Sequence, residues 1–311
     1  MHSVLRNLLL GSGLAVLANA VAADSPRSSQ TASDPVSTNA ASALNTITVE
    51  GKREVVEKQI NEFVTSVMVH SDRVSLSRWR GPICPLVAGL PSELSDFVTA
   101  KLTEIVKTIG APPMASPHCV ANFYVIATPD PVLLLKKWRA RDPKMFGERG
   151  EIAINSFTNT ARPIRVWYNG IIVAAAGNPL QERTDNAGQT VASSSTYYLT
   201  NNRAQLSRLT WDDVVELSSV IEIIDTQQLK NVNAGQLADY VAMVGLAEVH
   251  LDADVGSAPT ILHLFSRSAD DAPSGMSSWD QAFLHSLYNT SQEQRTQLSA
   301  IKTLMIRNMS P

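Results

Sequence analysis

Neither sign of charge is in excess in this sequence: 26 lysines and arginines face 29 aspartates and glutamates, for a formal net charge of −3. That balance gives no electrostatic reason to expect nucleic acid or an acidic polymer as partner. Cysteine is almost absent, with only Cys84 and Cys119, and neither stands directly after the leader, so nothing there points to a lipid anchor. Beyond the leader no segment is long and apolar enough to span a bilayer, which takes roughly 20 residues. There is no Gly-x-Ser-x-Gly elbow, no Walker phosphate loop and no dinucleotide fingerprint after a strand. The serine cluster "VASSSTYY" has no partner base that spacing can identify.

The amino terminus carries the most specific positive signal. "MHSVLRNLLLGSGLAVLANAVAAD" has one basic residue, Arg6, an apolar stretch from Leu8 to Leu17 and small residues suited to signal peptidase. The pattern predicts a signal peptide over residues 1–23, a mature chain beginning between residues 21 and 24, and a periplasmic or secreted protein. Residues 24–45, rich in Ser, Thr, Ala and Asn, bury too little apolar surface to offset ordering entropy and read as a disordered tether. Residues 46–72 read as a strand, "TITVE", then a helix carrying Val55, Ile60, Phe63, Val64 and Val67. The piece "ITVEGKRE" also resembles the TonB box of outer-membrane receptors, although no barrel pattern follows it.

With 44% hydrophobic and 18% charged residues, the rest is ordinary globular material able to bury a sizeable core. In an oxidising compartment Cys84 and Cys119 are expected to form one structural disulfide. A reactive thiol at Cys119 beside His118 is disfavoured, because side chains adjacent in sequence usually point apart.

From about residue 74 strands and helices alternate. "PICPLVAGL" is a short apolar run ending in a turn glycine, and "PSELSDFVTAKLTEIVKTIG" is a helix burying Phe97, Val98, Leu102, Ile105 and Val106, stopped by Gly110. "NFYVIAT" is a second strand, and Asp130 and Pro131 suit the cap and first turn of a helix over "VLLLKKWRAR". Strand, helix, strand at this spacing favours a parallel pair. "IRVWYNGIIVAAA" reads as a hairpin with Asn169 and Gly170 in a two-residue turn, "VIEIIDTQQL" as a strand and "NAGQLADYVAMVGLAEV" as a helix. Residues 177–208 read as a polar surface excursion. Ser278 and Gln281 suggest a capping box for "WDQAFLHSLY", and "SQEQRTQLSAIKTLMIRNM" supplies a last amphipathic helix. These patterns predict an α/β (α+β) fold, a mixed sheet with flanking helices, as a single main domain over residues 73–311.

Two clusters invite chemistry. Lys136, Lys137, Arg139, Arg141 and Lys144 surround Trp138 and would suit an anionic surface; the plainer reading, a solvated helix face balanced by Asp142 and Glu148, is preferred for a charge run. "EVHLDAD" sets Glu248, His250, Asp252 and Asp254 at alternating positions, with His263 further along, as ligands for a calcium or transition-metal ion; a polar loop is the commoner outcome.

The run from "LADYVAMVGL" through "PTILHLF" to "SSWDQAFLHSLY" resembles the carboxy-terminal half of a metzincin-type zincin metallopeptidase. The matching features are Gly245, Leu246, the segment from Ile261 to Phe265, Asp280, Leu287 and Tyr288. The wider chain is similar to uncharacterised exported proteins of Gram-negative bacteria in "RWRGPICPLVAGLP", "LADYVAMVGL" and "WDQAFL", a resemblance that implies no activity. The peptidase resemblance places the two histidines on Ala238 and Ala242, the general base on Asp239 and the third ligand on Glu248. A catalytic zinc needs three protein ligands, and alanine offers no lone pair. The zinc motif is thus lost, and Asp239, Glu248 and His250 remain only weak metal candidates, with no catalytic residue and no cofactor indicated. Ala234, Ala238, Ala242 and Gly245 form instead a stripe of small residues suited to close packing. The expectation is an exported envelope protein without recognisable catalysis, binding or scaffolding an unknown envelope protein or glycan; the alternative is an envelope hydrolase with an unrecognised site.

Overall fold

A computed structural model describes residues 38–69, 75–147, 150–174, 183–184, 190–191, 213–266, 272–292 and 296–309. The expected signal peptide, the tether up to residue 37 and nearly all of the 177–208 excursion lie outside the described residues. The chain divides into two units, Met1–Thr48 and Val49–Pro311. The described part of the first is helical from Thr38 onward.

The helices are α1 (Thr38–Val67), α2 (Ser92–Ile109), α3 (Pro131–Arg141), α4 (Glu151–Asn159), α5 (Ala234–Leu246), α6 (Ser278–Asn289) and α7 (Gln297–Met309). Two 3-10 turns span Pro143–Phe146 and Ile261–Phe265. The strands are β1 (Pro85–Ala88), β2 (Phe123–Thr128), β3 (Ile164–Ala174), β4 (Arg183–Thr184), β5 (Thr190–Val191) and β6 (Asp213–Asp225). β4 and β5 pair as a two-stranded antiparallel ribbon.

The second unit is built on one mixed four-stranded sheet in the order β1-β2-β6-β3, with helices on it, as the sequence predicts. β1 runs parallel to β2 and β2 parallel to β6, while β3 closes the other edge antiparallel to β6. Register and the two-residue period of a strand divide the side chains between faces. Phe123, Val125 and Ala127 align with Val220, Glu222 and Ile224, and these with Tyr168, Val166 and Ile164. That face meets the main core, to which α1, α2, α5, α6 and α7 contribute. Trp167, Ile221 and Ile223 lie on the other face, under Leu135 of α3, Phe146 and Ile154 of α4.

Local chemistry accounts for several boundaries. α2 buries Val98, Leu102, Ile105, Val106 and Ile109 at helical spacing and ends on Gly110, whose φ of 75° supplies the left-handed cap. Asp130 caps α3 by accepting the Leu133 N–H at 2.9 Å, ahead of Pro131 in the first turn. Gly89 turns the chain out of β1 with φ 79°, and a Cβ there would fall 2.0 Å from the Ala127 carbonyl oxygen, so a side chain is excluded twice over. Cys84 and Cys119 form the expected disulfide, with Cα atoms 6.1 Å apart, tying the entry to β1 to the connection ahead of β2.

Four local expectations are corrected. "TITVE" is helical, within α1, where Arg53 and Lys58 pair with Glu57 and Glu62 one turn on; no strand forms there for an energy-coupling box to use. Asn169 and Gly170 do not turn the chain: β3 continues through them along β6 with a bulge, and neither has positive φ. The reason is that Asn169 is engaged laterally, its amide donating to Met145 O and Ser219 Oγ and its carbonyl accepting from Trp167 Nε1. Phe97 is exposed rather than buried. The capping box of α6 is Ser277 with Asp280, one residue before the predicted pair, because Ser277 has the extended backbone of a cap.

Candidate functional site

Helix α5 is the place where a peptidase-like site would lie. It begins on a capping box made by Asn233 and Gln236, and every residue from Gln236 to Leu246 is buried. A helix enclosed on all sides is an interior helix rather than the wall of a cleft. Ala238 and Ala242 are 0% exposed. Gly245 sets how closely the helix meets the sheet: a Cβ there would fall 2.1 Å from Phe123 Cζ and 2.3 Å from Glu222 Oε1. Of the small-residue stripe, Gly245 thus packs against Phe123 of β2 and Glu222 of β6, Ala238 and Ala242 are buried in the core, and Ala234 is exposed.

The carboxyl end of α5 stops inside the protein, at Ala247 in extended conformation, which leaves the last carbonyls without helical partners. Three side chains distant in sequence take them. Tyr168 Oη donates to Val244 O at 2.8 Å, Trp79 Nε1 to Gly245 O at 2.9 Å and Tyr288 Oη to Leu246 O at 2.6 Å. Burial pushes the phenols of Tyr168 and Tyr288 up from their usual range, which keeps both as proton donors.

The weak metal candidates separate. Asp239, in mid-helix, accepts the Met276 N–H at 2.8 Å, and its other oxygen lies 4.0 Å from Lys101 Nζ without a hydrogen bond. Gly275 permits this approach, since a Cβ there would meet Asp239 Oδ2 at 2.7 Å. Glu248 is buried, close enough to Tyr168 for its charge to help raise that phenol. His250 follows a bridge between Met68 and Val249; its backbone N–H donates to Val67 O and its ring is exposed. Asp252 pairs with Arg162, and Asp254 accepts the Gly256 N–H, so the alternation in "EVHLDAD" does not aim its ligands to one side. Among the described residues no group of three or more His, Cys, Asp or Glu side chains is placed to hold a metal ion.

Asp280, the acid matched to the start of the later peptidase helix, is a buried latch. It accepts from Thr260 Oγ1, from the Ile261 N–H at 2.9 Å and from the Ser277 N–H at 2.8 Å, joining α6 to the turn Ile261–Phe265. Burial raises its pKa while these hydrogen bonds oppose the shift.

Sequence reasoning missed Glu222. It stands in the middle of β6, 0% exposed, with no hydrogen-bond partner on either carboxylate oxygen. Burial raises its pKa well above the ordinary range, favouring the neutral acid. One signal was available: a single glutamate inside "VIEIID", a run whose other members suit a strand buried on both faces. Away from this region an open groove of about 910 Å³ runs between α1, with Glu54, Glu57 and Glu62, the turn Asp254–Ala258 and Lys302.

Comparison of the chain with protein-family models, with curated proteins and with solved structures returns no match.

Proposed function

We propose that this chain is an exported, non-catalytic envelope protein that binds or scaffolds a partner, on a zincin-like framework in which the peptidase-like helix has become core. The carrying observation is the state of α5: buried from Gln236 to Leu246, alanine at both histidine positions, glycine against Phe123 and Glu222, and its final carbonyls occupied by Tyr168, Trp79 and Tyr288. Every part of the helix that would face a zinc and a substrate is committed to protein contacts. Export is supported by the signal-like leader and by the Cys84–Cys119 disulfide, a bond suited to an oxidising compartment. Among the described residues no helix is long and apolar enough to cross a membrane.

The test uses mature chain purified from the envelope fraction. Elemental analysis is expected to find no stoichiometric zinc, and peptide hydrolysis to show no chelator-sensitive component. Affinity capture from periplasmic extract followed by mass spectrometry should return a protein or glycan partner. One tightly held zinc per chain, lost in Asp239→Asn or Glu248→Gln, would overturn the reading in favour of a hydrolase.

A further inference from the structure

We propose that the outer layer formed by α3, the turn Pro143–Phe146 and α4 is a docking face for a bilayer containing anionic phospholipid. Leu133, Lys136, Lys137, Ala140 and Arg141 follow one another at helical spacing and are all exposed, so they form the outward face of α3 opposite the buried Leu135. Lys144 extends the face onto the following turn. No carboxylate falls among Leu133, Lys136, Lys137, Ala140 and Arg141; the exposed Asp142 stands between Arg141 and Lys144, and Asp130 accepts the Leu133 N–H.

Elsewhere on the described surface some cations are paired, Arg53 with Glu57, Lys58 with Glu62, Lys101 with Glu104 and Arg162 with Asp252, while Lys107, Lys230, Lys302 and Arg307 stand singly, so what sets α3 apart is the clustering of its cations. In this layer the pairing falls to Arg139, which joins Glu151 and Asn155 and so fastens α3 to α4. Among the described residues no ion pair takes up Lys136, Lys137, Arg141 or Lys144; Asp142 pairs with none of them, and Glu148, the other carboxylate expected to balance them, lies outside the described residues. Four positive charges outside any ion pair, clustered on a chain of net −3, are a local field of the sign that attracts anionic headgroups.

Charge alone would suit any polyanion; the apolar members select the lipid. Leu133 is 47% exposed and Ile152, next to the Glu151 that Arg139 holds, is 88% exposed. A soluble polyanion leaves such side chains in water, whereas a bilayer accepts them below the headgroups that the lysines contact. The layer is also fixed in place: Trp138 packs edge-on against Tyr124 and Phe146, and Phe146 against Trp167 of the sheet. The charges are held on one side before any partner arrives.

This goes beyond the binding reading by adding a lipid surface to the protein or glycan partner proposed there, and the two fail separately: zinc-dependent hydrolysis would refute that reading without touching this face. The probe is co-sedimentation of the mature chain with phosphatidylcholine vesicles, with and without phosphatidylglycerol. We expect binding to the anionic vesicles only, weakening as salt is added, and a loss of about fivefold per cation removed. The quadruple variant Lys136→Ala, Lys137→Ala, Arg141→Ala, Lys144→Ala should therefore lose binding by several hundredfold with an unchanged melting temperature, since all four positions are exposed. Leu133→Ser with Ile152→Ser should weaken vesicle binding without changing retention on heparin. Lys58→Ala, on α1, is the control expected to bind like the parent. Absence of binding to phosphatidylglycerol vesicles, equal binding by the quadruple variant, or equal binding to neutral vesicles would each overturn the proposal. So would heparin retention that depends on the four cations while vesicle binding is independent of them.

Discussion

Replacing Glu222 by glutamine should lessen the stability that the protein loses on going from mildly acid to neutral pH. The side chain is wholly buried between the sheet and α5, neither oxygen has a hydrogen-bond partner, and desolvation alone raises its pKa well above the ordinary 4.5. A folded chain thus keeps a proton that the unfolded chain releases. Its contribution is fully present below the unfolded pKa of 4.5 and is lost as pH rises toward the folded value. Within that window the slope approaches about 1.4 kcal/mol per pH unit. Glu216 and Asp280 shift in the same direction, so the informative quantity is the difference between parent and variant. Glu222→Gln keeps the shape and cannot ionise, so its urea-unfolding free energy should be flatter with pH by that amount. Glu222→Met removes the unpaired polar atoms and should be more stable than the parent at neutral pH by roughly 1–3 kcal/mol. Parallel pH profiles for the parent and Glu222→Gln would refute the reasoning, as would a Glu222→Met protein markedly less stable than the parent at pH 7.

Two other predictions concern how the core is closed. The mature chain should show no free thiol until reduced, and reduction of Cys84–Cys119 should lower its unfolding free energy by roughly 3–4 kcal/mol, read by thiol titration and denaturant melts; two thiols titrating in native protein would count against it. Gly245→Ala places a methyl against Phe123 and Glu222 and should cost about 1–3 kcal/mol in a thermal melt, with no loss expected if the helix stands off the sheet.

Much of the sheet and its helices was legible because the signals were local. The stripe in α2, the Gly110 stop, the Asp130–Pro131 cap and the apolar strands around them depend on neighbours a few residues away, and they specify the parallel β1–β2 pair. The disulfide was legible for a different reason: with only Cys84 and Cys119 in the chain, one pairing is available. What escaped depends on partners remote in sequence. Asn169–Gly170 has the composition of a hairpin turn, yet Met145 and Ser219 claim the Asn169 side chain and the strand runs on. The trio that occupies the end of α5 comes from residues 79, 168 and 288, with no spacing that could reveal it. That positions 238 and 242 carry alanine, which offers a metal no lone pair, was readable from the sequence; that the helix is enclosed was not.

The strand order has a consequence for how the chain is made. β2 is flanked by β1, close to it in sequence, and by β6, which follows only after α3, α4 and β3. A chain emerging from its amino end can assemble β1, α2 and β2 early and lock them with Cys84–Cys119, but β2 then presents an open edge next to Phe123, Val125 and Ala127 until Asp213–Asp225 arrives. Pairing across such a separation is slow, and an apolar strand edge waiting for its partner invites association with other chains. Folding should therefore be limited by insertion of β6, and a chain truncated before Asp213 should aggregate even though its first strands and its crosslink are complete.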